Sequence, residues 1–166
     1  MKLKIEKISK KHLSDAHKIY NFYIKNSYSN FEENELKFKD FCKQYKNIIS
    51  KNLPYLVALN EEKVVGIAYV NKFREKSGYR FAFENTIYVH EKHTRQGVGY
   101  KLLKELLNIS KNHKNIKSIV AVIGNIDSKA SLKLHEKLGF NKSGVLKKIG
   151  FKNNKWIDSI FLQKDL

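Results

Sequence analysis

The run Glu84-Asn85-Thr86-Ile87-Tyr88-Val89, the polar loop His90 to Gln96 and the start Gly97-Val98-Gly99-Tyr100 decide how this chain folds. Tyr79 to Val89 reads as one long strand, β-rich in its last half. Beyond the glycines, Leu102, Leu103, Leu106, Leu107 and Ile109 recur at helical spacing and predict an amphipathic helix. Glycines where a strand feeds a helix let the backbone approach a ligand and leave the first helical N–H groups unpaired. The helix dipole then favours an anion there, such as a pyrophosphate. Two other phosphate loops are excluded. Tyr100-Lys101-Leu102 follows Gly99, so the third glycine of a dinucleotide fingerprint is missing, and no Gly-Lys-Ser/Thr follows.

Working outward, Lys4 to Ile8 alternates as a strand, and Ser9 or Ser14 caps a helix carrying Ala16, Ile19, Tyr20, Tyr23 and Ile24. A polar stretch, Asn26 to Asn34, holds Tyr28 and Phe31. A second helix is expected from Glu35 to Ser50. Strands follow at Tyr55 to Leu59 and Val64 to Phe73, joined by the turn Asn60-Glu61-Glu62-Lys63. The turn Lys76-Ser77-Gly78 leads into the long strand. After the glycine loop and its helix, Ile116 to Ile123 is a continuous apolar strand, expected to be buried on both faces. Asp127 or Ser128 caps a last helix, which runs through Leu138 and ends at Gly139. Strands at about 143–151 and 155–163 flank Lys152-Asn153-Asn154. The order β-α-α-β-β-β-α-β-α-β-β is a mixed α/β sheet.

The 166 residues suit a single domain with one core. Hydrophobic residues at 42% exclude intrinsic disorder, and no apolar run approaches the roughly 18 to 20 residues of a bilayer span. Met1-Lys2-Leu3-Lys4-Ile5 alternates charge with apolar residues and has no signal-peptide core. One cysteine, Cys42, excludes an internal disulfide framework and points to a reducing cytosol. The net charge is +17, but thirty of the 33 basic residues are Lys and only Arg74, Arg80 and Arg95 are Arg. Scattered Lys, abundant Asn and scarce Arg read as composition bias with anion attraction superimposed. A nucleic-acid reader would favour the arginine fork.

A second element completes the pattern. Asn125 follows the buried strand, and Ala130-Ser131-Leu132-Lys133-Leu134-His135-Glu136-Lys137-Leu138-Gly139-Phe140 follows Asn125. Ile87 to Tyr100 and Asn125 to Phe140 resemble the A and B motifs of the GNAT family of acetyl-CoA-dependent N-acetyltransferases. Ile19 to Ile24, Glu84 to His90, Leu134 to Phe140 and Gly150-Phe151-Lys152…Trp156-Ile157-Asp158 resemble its phosphinothricin and methionine-sulfoximine branch. The resemblance spans most of the chain. It implies a single N-acetyltransferase domain over residues 1–166, with a GNAT-like, mostly antiparallel mixed sheet flanked by helices. Two departures stand out: Thr94 occupies the usual Gln/Arg position before the glycines, with Arg95 one place later, and the early-loop Pro near Asn34-Glu35 is missing.

Acyl transfer from a thioester to an amine needs a neutral amine, a polarised carbonyl, a stabilised thiolate and two substrates held together. It needs no covalent nucleophile, so Cys42 reads as a core thiol. The resemblance implies Glu84 as general base, and its neighbours Phe81, Ala82 and Phe83 would raise its pKa. It implies His135, where the family commonly has Tyr, as a general acid near the thioester sulfur. Ile87, Tyr88 and Val89 would lie along the pantetheine arm, joined by Asn125. Arg95, Gln96, Gly97, Val98, Gly99 and Tyr100 would hold the pyrophosphate, with Lys101 as a further ion partner. Arg74, Lys76, Tyr79 and Arg80, with Asn85 and Thr86, form the expected acceptor set, because an Arg fork suits an amino-acid carboxylate. Phe31, Tyr28 and Trp156 are candidate walls. His90-x-x-His93 lacks completing ligands, so no metal site is expected.

These readings lead to acetyl transfer from acetyl-CoA to the α-amine of a small amino-acid-like acceptor. The expected partners are that acceptor and a second copy of the chain, with no nucleic acid and no membrane. Acetylation of protein or peptide N-termini is the alternative within the same chemistry. A basic nucleic-acid-binding module is the alternative of another class, and it lacks a recognition-helix or RNP pattern. A polycationic aminoglycoside would be repelled by the charge.

Overall fold

The computed structural model describes residues 2–126 and 128–166. The elements follow the expected order: β1 (Leu3–Lys7), α1 (Leu13–Asn26), α2 (Phe38–Ser50), β2 (Tyr55–Asn60), β3 (Lys63–Lys72), β4 (Ala82–Val89), α3 (Val98–Lys111), β5 (Ser118–Gly124), α4 (Lys129–Lys137), β6 (Asn141–Lys152) and β7 (Lys155–Asp165). One seven-stranded sheet runs β1-β2-β3-β4-β5-β7-β6. Every neighbouring pair is antiparallel except β4 and β5. The core lies between the sheet and its helices, with Val57, Ile67, Leu102, Leu103, Leu106 and Ile119 fully enclosed. Among the described residues no helix is long and apolar enough to cross a membrane.

Several boundaries differ from the sequence reading. The second helix starts at Phe38 rather than Glu35, because Leu36 is clamped to α1 and Lys37 is extended. Its N–H donates to Asn21 Oδ1 at 3.0 Å, and its carbonyl accepts from Asn21 Nδ2 at 3.0 Å and from His17 Nε2 at 2.6 Å. Three bonds to α1 outweigh the weak helix preference of a few polar residues. The fourth strand starts at Ala82 rather than Tyr79. Ser77–Tyr79 form a 3-10 turn, and the Arg80 guanidinium lies 4.5 Å above the Phe81 ring. Ile116 is buried outside β5, its N–H held by His113 in the turn after α3. At the first helix, Ser9 precedes a 3-10 turn, Lys10–His12, that runs into α1, while Ser14 sits inside it.

The last helix stops as its sequence dictates. Gly139 takes φ +83°, its N–H donates to Glu136, and the Phe140 N–H donates to His135. This left-handed exit satisfies carbonyls that the helix end leaves open. Ser128 stands at the start of α4 without a capping bond from its side chain, and Asp127, the other candidate cap, lies outside the described residues.

Candidate active site

The parallel contact between β4 and β5 is short. It joins Ala82 to Ser118, Phe83 to Ile119 and Glu84 to Val120, and then the strands part. Both outer edges stay paired, β4 with β3 out to Val89 and β5 with β7 out to Gly124. The result is a wedge with Glu84 at its apex. In the β3–β4 ladder the bonds Phe73 N–H to Ala82 and His90 N–H to Val65 put the even-numbered residues of β4 against β3. The backbone groups of Asn85, Ile87 and Val89 therefore face the wedge. The Val89 carbonyl is already held by the Tyr23 hydroxyl at 2.6 Å, which leaves the Ile87 groups and the Val89 N–H on the open edge.

The wedge opens into a cleft of about 470 Å³, within the range of small-ligand sites. Its walls are Glu84 to Val89, Ala121 to Gly124, the loop and helix start through Arg95, Gly97, Gly99 and Tyr100, and Leu134 and His135 of α4. Gly97 has φ +80° and is open to solvent, so it turns the chain into α3 without a side chain over the first free N–H groups. Arg95 also sits at positive φ, +58°. A non-glycine residue held there stores of order 1 kcal/mol, and such strain concentrates in ligand-binding loops.

Burial pushes the Glu84 carboxyl up to about 7, and the nearby Arg74 guanidinium pulls in the opposite direction. Removing that cation with Arg74→Gln should move the ascending limb of the pH–rate profile to higher pH, as kcat/KM measured between pH 5 and 9 would record. A limb that stays put would separate Arg74 from the titration of Glu84.

His135 is 2% exposed and packs edge-on against Phe140 at 5.0 Å. Its Nδ1 lies 2.8 Å from the Ser131 carbonyl, an acceptor only, so Nδ1 carries the proton. Burial lowers the pKa of the ring, which is accordingly neutral, and Nε2 accepts from Asn85 Nδ2 at 3.0 Å. In this arrangement His135 has no N–H to offer a departing thiolate, contrary to the general-acid expectation. It holds the amide of Asn85 instead. Asn85 Oδ1 is buried with no partner.

The other expected residues divide. Thr86 and Tyr88 line the cleft, but the Tyr88 ring is stacked on Tyr23 at 4.5 Å. Val98 lines the start of α3 only through its backbone, since its side chain is in the core. Gln96 is exposed and donates to the Lys92 carbonyl, and Lys101 is exposed on α3. Asn125 lies outside the cleft: its Oδ1 accepts from the Asp158 N–H at 3.0 Å, so the amide is committed to β7. Lys76, Tyr79 and Arg80 are exposed in the 73–81 loop and do not reach the cleft. Trp156, 59% exposed, packs on Phe151. Tyr28 and Phe31 lie against Gly124 at the margin. Tyr23, Ser29 and His93 line the cleft, although the sequence reading did not assign them there. Tyr23 carried a core signal, its helical spacing, and a place in the Ile19 to Ile24 run of the resemblance. Among the described residues no three His, Cys, Asp or Glu side chains are grouped to hold a metal ion.

A strand pair that splays after three residues, a free β4 edge and a glycine-started helix together frame the cleft of an acyltransferase fold. The chain belongs to the Acetyltransferase (GNAT) family, which matches residues 16–140. It is 34% identical over 148 residues to a phosphinothricin N-acetyltransferase from Alcaligenes faecalis, covering 89% of this chain and 75% of that protein. It is 33% identical over 119 residues to an L-methionine sulfoximine/L-methionine sulfone acetyltransferase from Salmonella typhimurium, covering 69% of this chain and 67% of that one. A crystal structure of a phosphinothricin acetyltransferase from Sinorhizobium meliloti in complex with AcCoA superimposes with TM-score 0.94 at 31% identity, covering all of this chain and 89% of that one.

Proposed function

We propose that this enzyme transfers an acetyl group from acetyl-CoA to the α-amine of a small amino-acid-like acceptor of the phosphinothricin or methionine-sulfoximine type. The observation that carries the reading is a carboxyl with a pKa of about 7 at the apex of a wedge whose free strand edge leads to a glycine-started helix. The residues suit acetyl-CoA. The Ile87 groups and the Val89 N–H can pair with the amides of a pantetheine arm as an added strand would. The N–H groups at the start of α3, with Arg95, suit a pyrophosphate. Acetyl-CoA supplies the activated acyl group.

Glu84, half protonated near neutrality, in its ionised form takes a proton from the acceptor amine. The freed lone pair attacks the thioester carbonyl, the C–N bond forms as the C–S bond breaks, and CoA leaves as its thiolate. One of the N–H groups on the open β4 edge, at Ile87 or Val89, would polarise the thioester carbonyl. Asn85, oriented by His135, contacts the reacting groups, and a substrate N–H would satisfy its unpartnered Oδ1. Arg74, whose guanidinium is near Glu84, provides a cation for the acceptor carboxylate, and Lys76 and Arg80 add positive charge on the exposed loop that leads into β4. The same reading includes residues 1–166 as one catalytic domain, a cytoplasmic location, a homodimer, and no part for metal, nucleic acid or membrane.

Thiol release from acetyl-CoA, followed across a panel of amines, tests the proposal. Phosphinothricin and methionine sulfoximine should turn over well above background. Turnover with peptide N-termini alone would overturn the acceptor assignment and favour the alternative.

A further inference from the structure

The chain's ending, Gly150-Phe151-Lys152…Trp156-Ile157-Asp158, has no part in the steps above, yet it holds the most unusual lysine in the molecule. Lys152 closes β6 and is 1% exposed in a protein whose other lysines mostly face water. Its ammonium donates to the carbonyls of Ile24 at 2.6 Å, Ser27 at 2.9 Å and Asn30 at 2.6 Å. Three N–H donors meet three acceptors, so every proton is used and the side chain has none to give to chemistry. Ile24 lies in the last turn of α1, where the helix leaves carbonyls open and its dipole is negative. Ser27 and Asn30 belong to the loop that follows. Burial pulls the lysine pKa down, and Glu33 and Glu32 pull it back up.

The pinned loop bears on the cleft. Ser29 lines it, and the Ser29 carbonyl accepts from the Tyr88 hydroxyl at 3.4 Å. Phe31 lies on Gly150 and Gly124, where an added Cβ would stand 2.6 Å and 3.2 Å from its ring. Gly124 is itself a cleft residue. Side chains alternate along β4, so Tyr88 shares a face with Glu84 and Thr86, and that face is covered by Tyr20 and Tyr23 of α1. Asn85, Ile87 and Val89 share the opposite face with α3 and α4. The loop therefore roofs the side on which the base is presented, while the donor arm runs in the wedge and over the start of α3.

We propose that Lys152 is the positioning residue of the acceptor-side wall: its buried ammonium fixes the loop 27–31, and through it recognition of the amine substrate, without touching the acetyl-CoA site. The proposal rests on the reading that the acceptor approaches from the face of Glu84. A neutral side chain of similar length would leave three buried carbonyls without donors, and the loop could then meet them only by moving toward water.

The test is Lys152→Met in the full chain, beside Lys152→Arg and Gly150→Ala. With phosphinothricin as probe, Lys152→Met should raise the acceptor KM about tenfold or more while the Kd for acetyl-CoA stays within about twofold. Hydrogen exchange should quicken in residues 24–34 and stay unchanged in α3. Lys152→Arg, which keeps the charge, should lie closer to wild type. Gly150→Ala pushes on the Phe31 ring without touching the ammonium and should raise the acceptor KM in the same direction, which keeps a readout should Lys152→Met fail to fold. An acceptor KM within twofold of wild type in both Lys152→Met and Gly150→Ala would overturn the proposal, as would equal losses in acceptor and acetyl-CoA binding. Wild-type enzyme inactive on every amine would instead overturn the functional reading. The exchange rates of residues 24–34 would then still judge the pin, and unchanged rates would overturn it.

Discussion

Glu84→Gln is expected to lower kcat by about 10²- to 10⁴-fold, the range that positioned general bases contribute, and to leave the Kd for acetyl-CoA nearly unchanged. Gln keeps the volume and hydrogen-bonding shape but cannot take the amine proton. Wild-type activity should rise through pH 7, because burial holds the carboxyl at about 7 against its ordinary 4.5. The ascending limb should vanish in the variant. The same shift has an opposite consequence for stability. The folded pKa lies above the unfolded one, so the folded state binds this proton more tightly. Glu84 thus contributes stability below about pH 4.5 that is lost as pH rises toward 7. Gln has no such loss. Glu84→Gln should therefore be more heat-stable than wild type at pH 8, by about 1–3 kcal/mol, and no more stable at pH 4.5. Thermal melts at the two pH values, beside the rate profile, check both halves. Full activity in the variant would remove Glu84 as base.

The second large effect is expected at the pair His135 and Asn85. His135→Phe fills the ring space but leaves the buried Asn85 amide without its acceptor, a loss of about 1–3 kcal/mol in stability. If His135 acts by holding Asn85, the two substitutions His135→Phe and Asn85→Ala should be strongly non-additive in kcat, each alone costing about tenfold or more and the double variant little beyond the worse single one. A proton-donating His135 predicts something else: His135→Phe would flatten a descending limb of the pH profile whether or not Asn85 is present. The neutral ring, with Nδ1–H on Ser131 and Nε2 on Asn85, favours the first outcome. Additive losses would detach Asn85 from His135, and full activity in His135→Phe would remove both roles.

Much of the fold was legible because it is written in local chemistry. The apolar spacing of Leu102, Leu103, Leu106 and Leu107 requires one buried helical face, and α3 buries that set. Asn153 and Asn154 tolerate the positive φ of a two-residue turn, 49° and 58°, and the turn falls there. Gly97 and Gly139 mark a helix start and a helix end for the same backbone reason. The raised pKa of Glu84 was legible because apolar neighbours desolvate it in any strand that is partly buried.

What was missed depends on residues far apart in the chain. The clamp of Asn21 on Leu36 shortened the second helix across a separation that no local propensity reports. Asn125 follows a strand as the motif requires, but β7 supplies an N–H in register and takes the amide. Arg80 reads as a carboxylate fork and lies instead on Phe81, because the loop before β4 turns away from the cleft. Lys152 reads as an ordinary lysine beside a hairpin turn. Only the packing of the α1 end over β6 and β7 puts three carbonyls around it.

The sequence by itself determined the order of the strands and helices, the glycine-started helix and the carboxyl set among apolar neighbours at Glu84, because periodicity, turn residues and neighbouring polarity are properties of short segments. The tertiary structure decided that β4 and β5 part after Glu84, that His135 faces Asn85 across fifty residues, and that a buried lysine holds the loop after α1. Those features arise from how separate segments pack and share hydrogen bonds, which is settled only when the whole core closes.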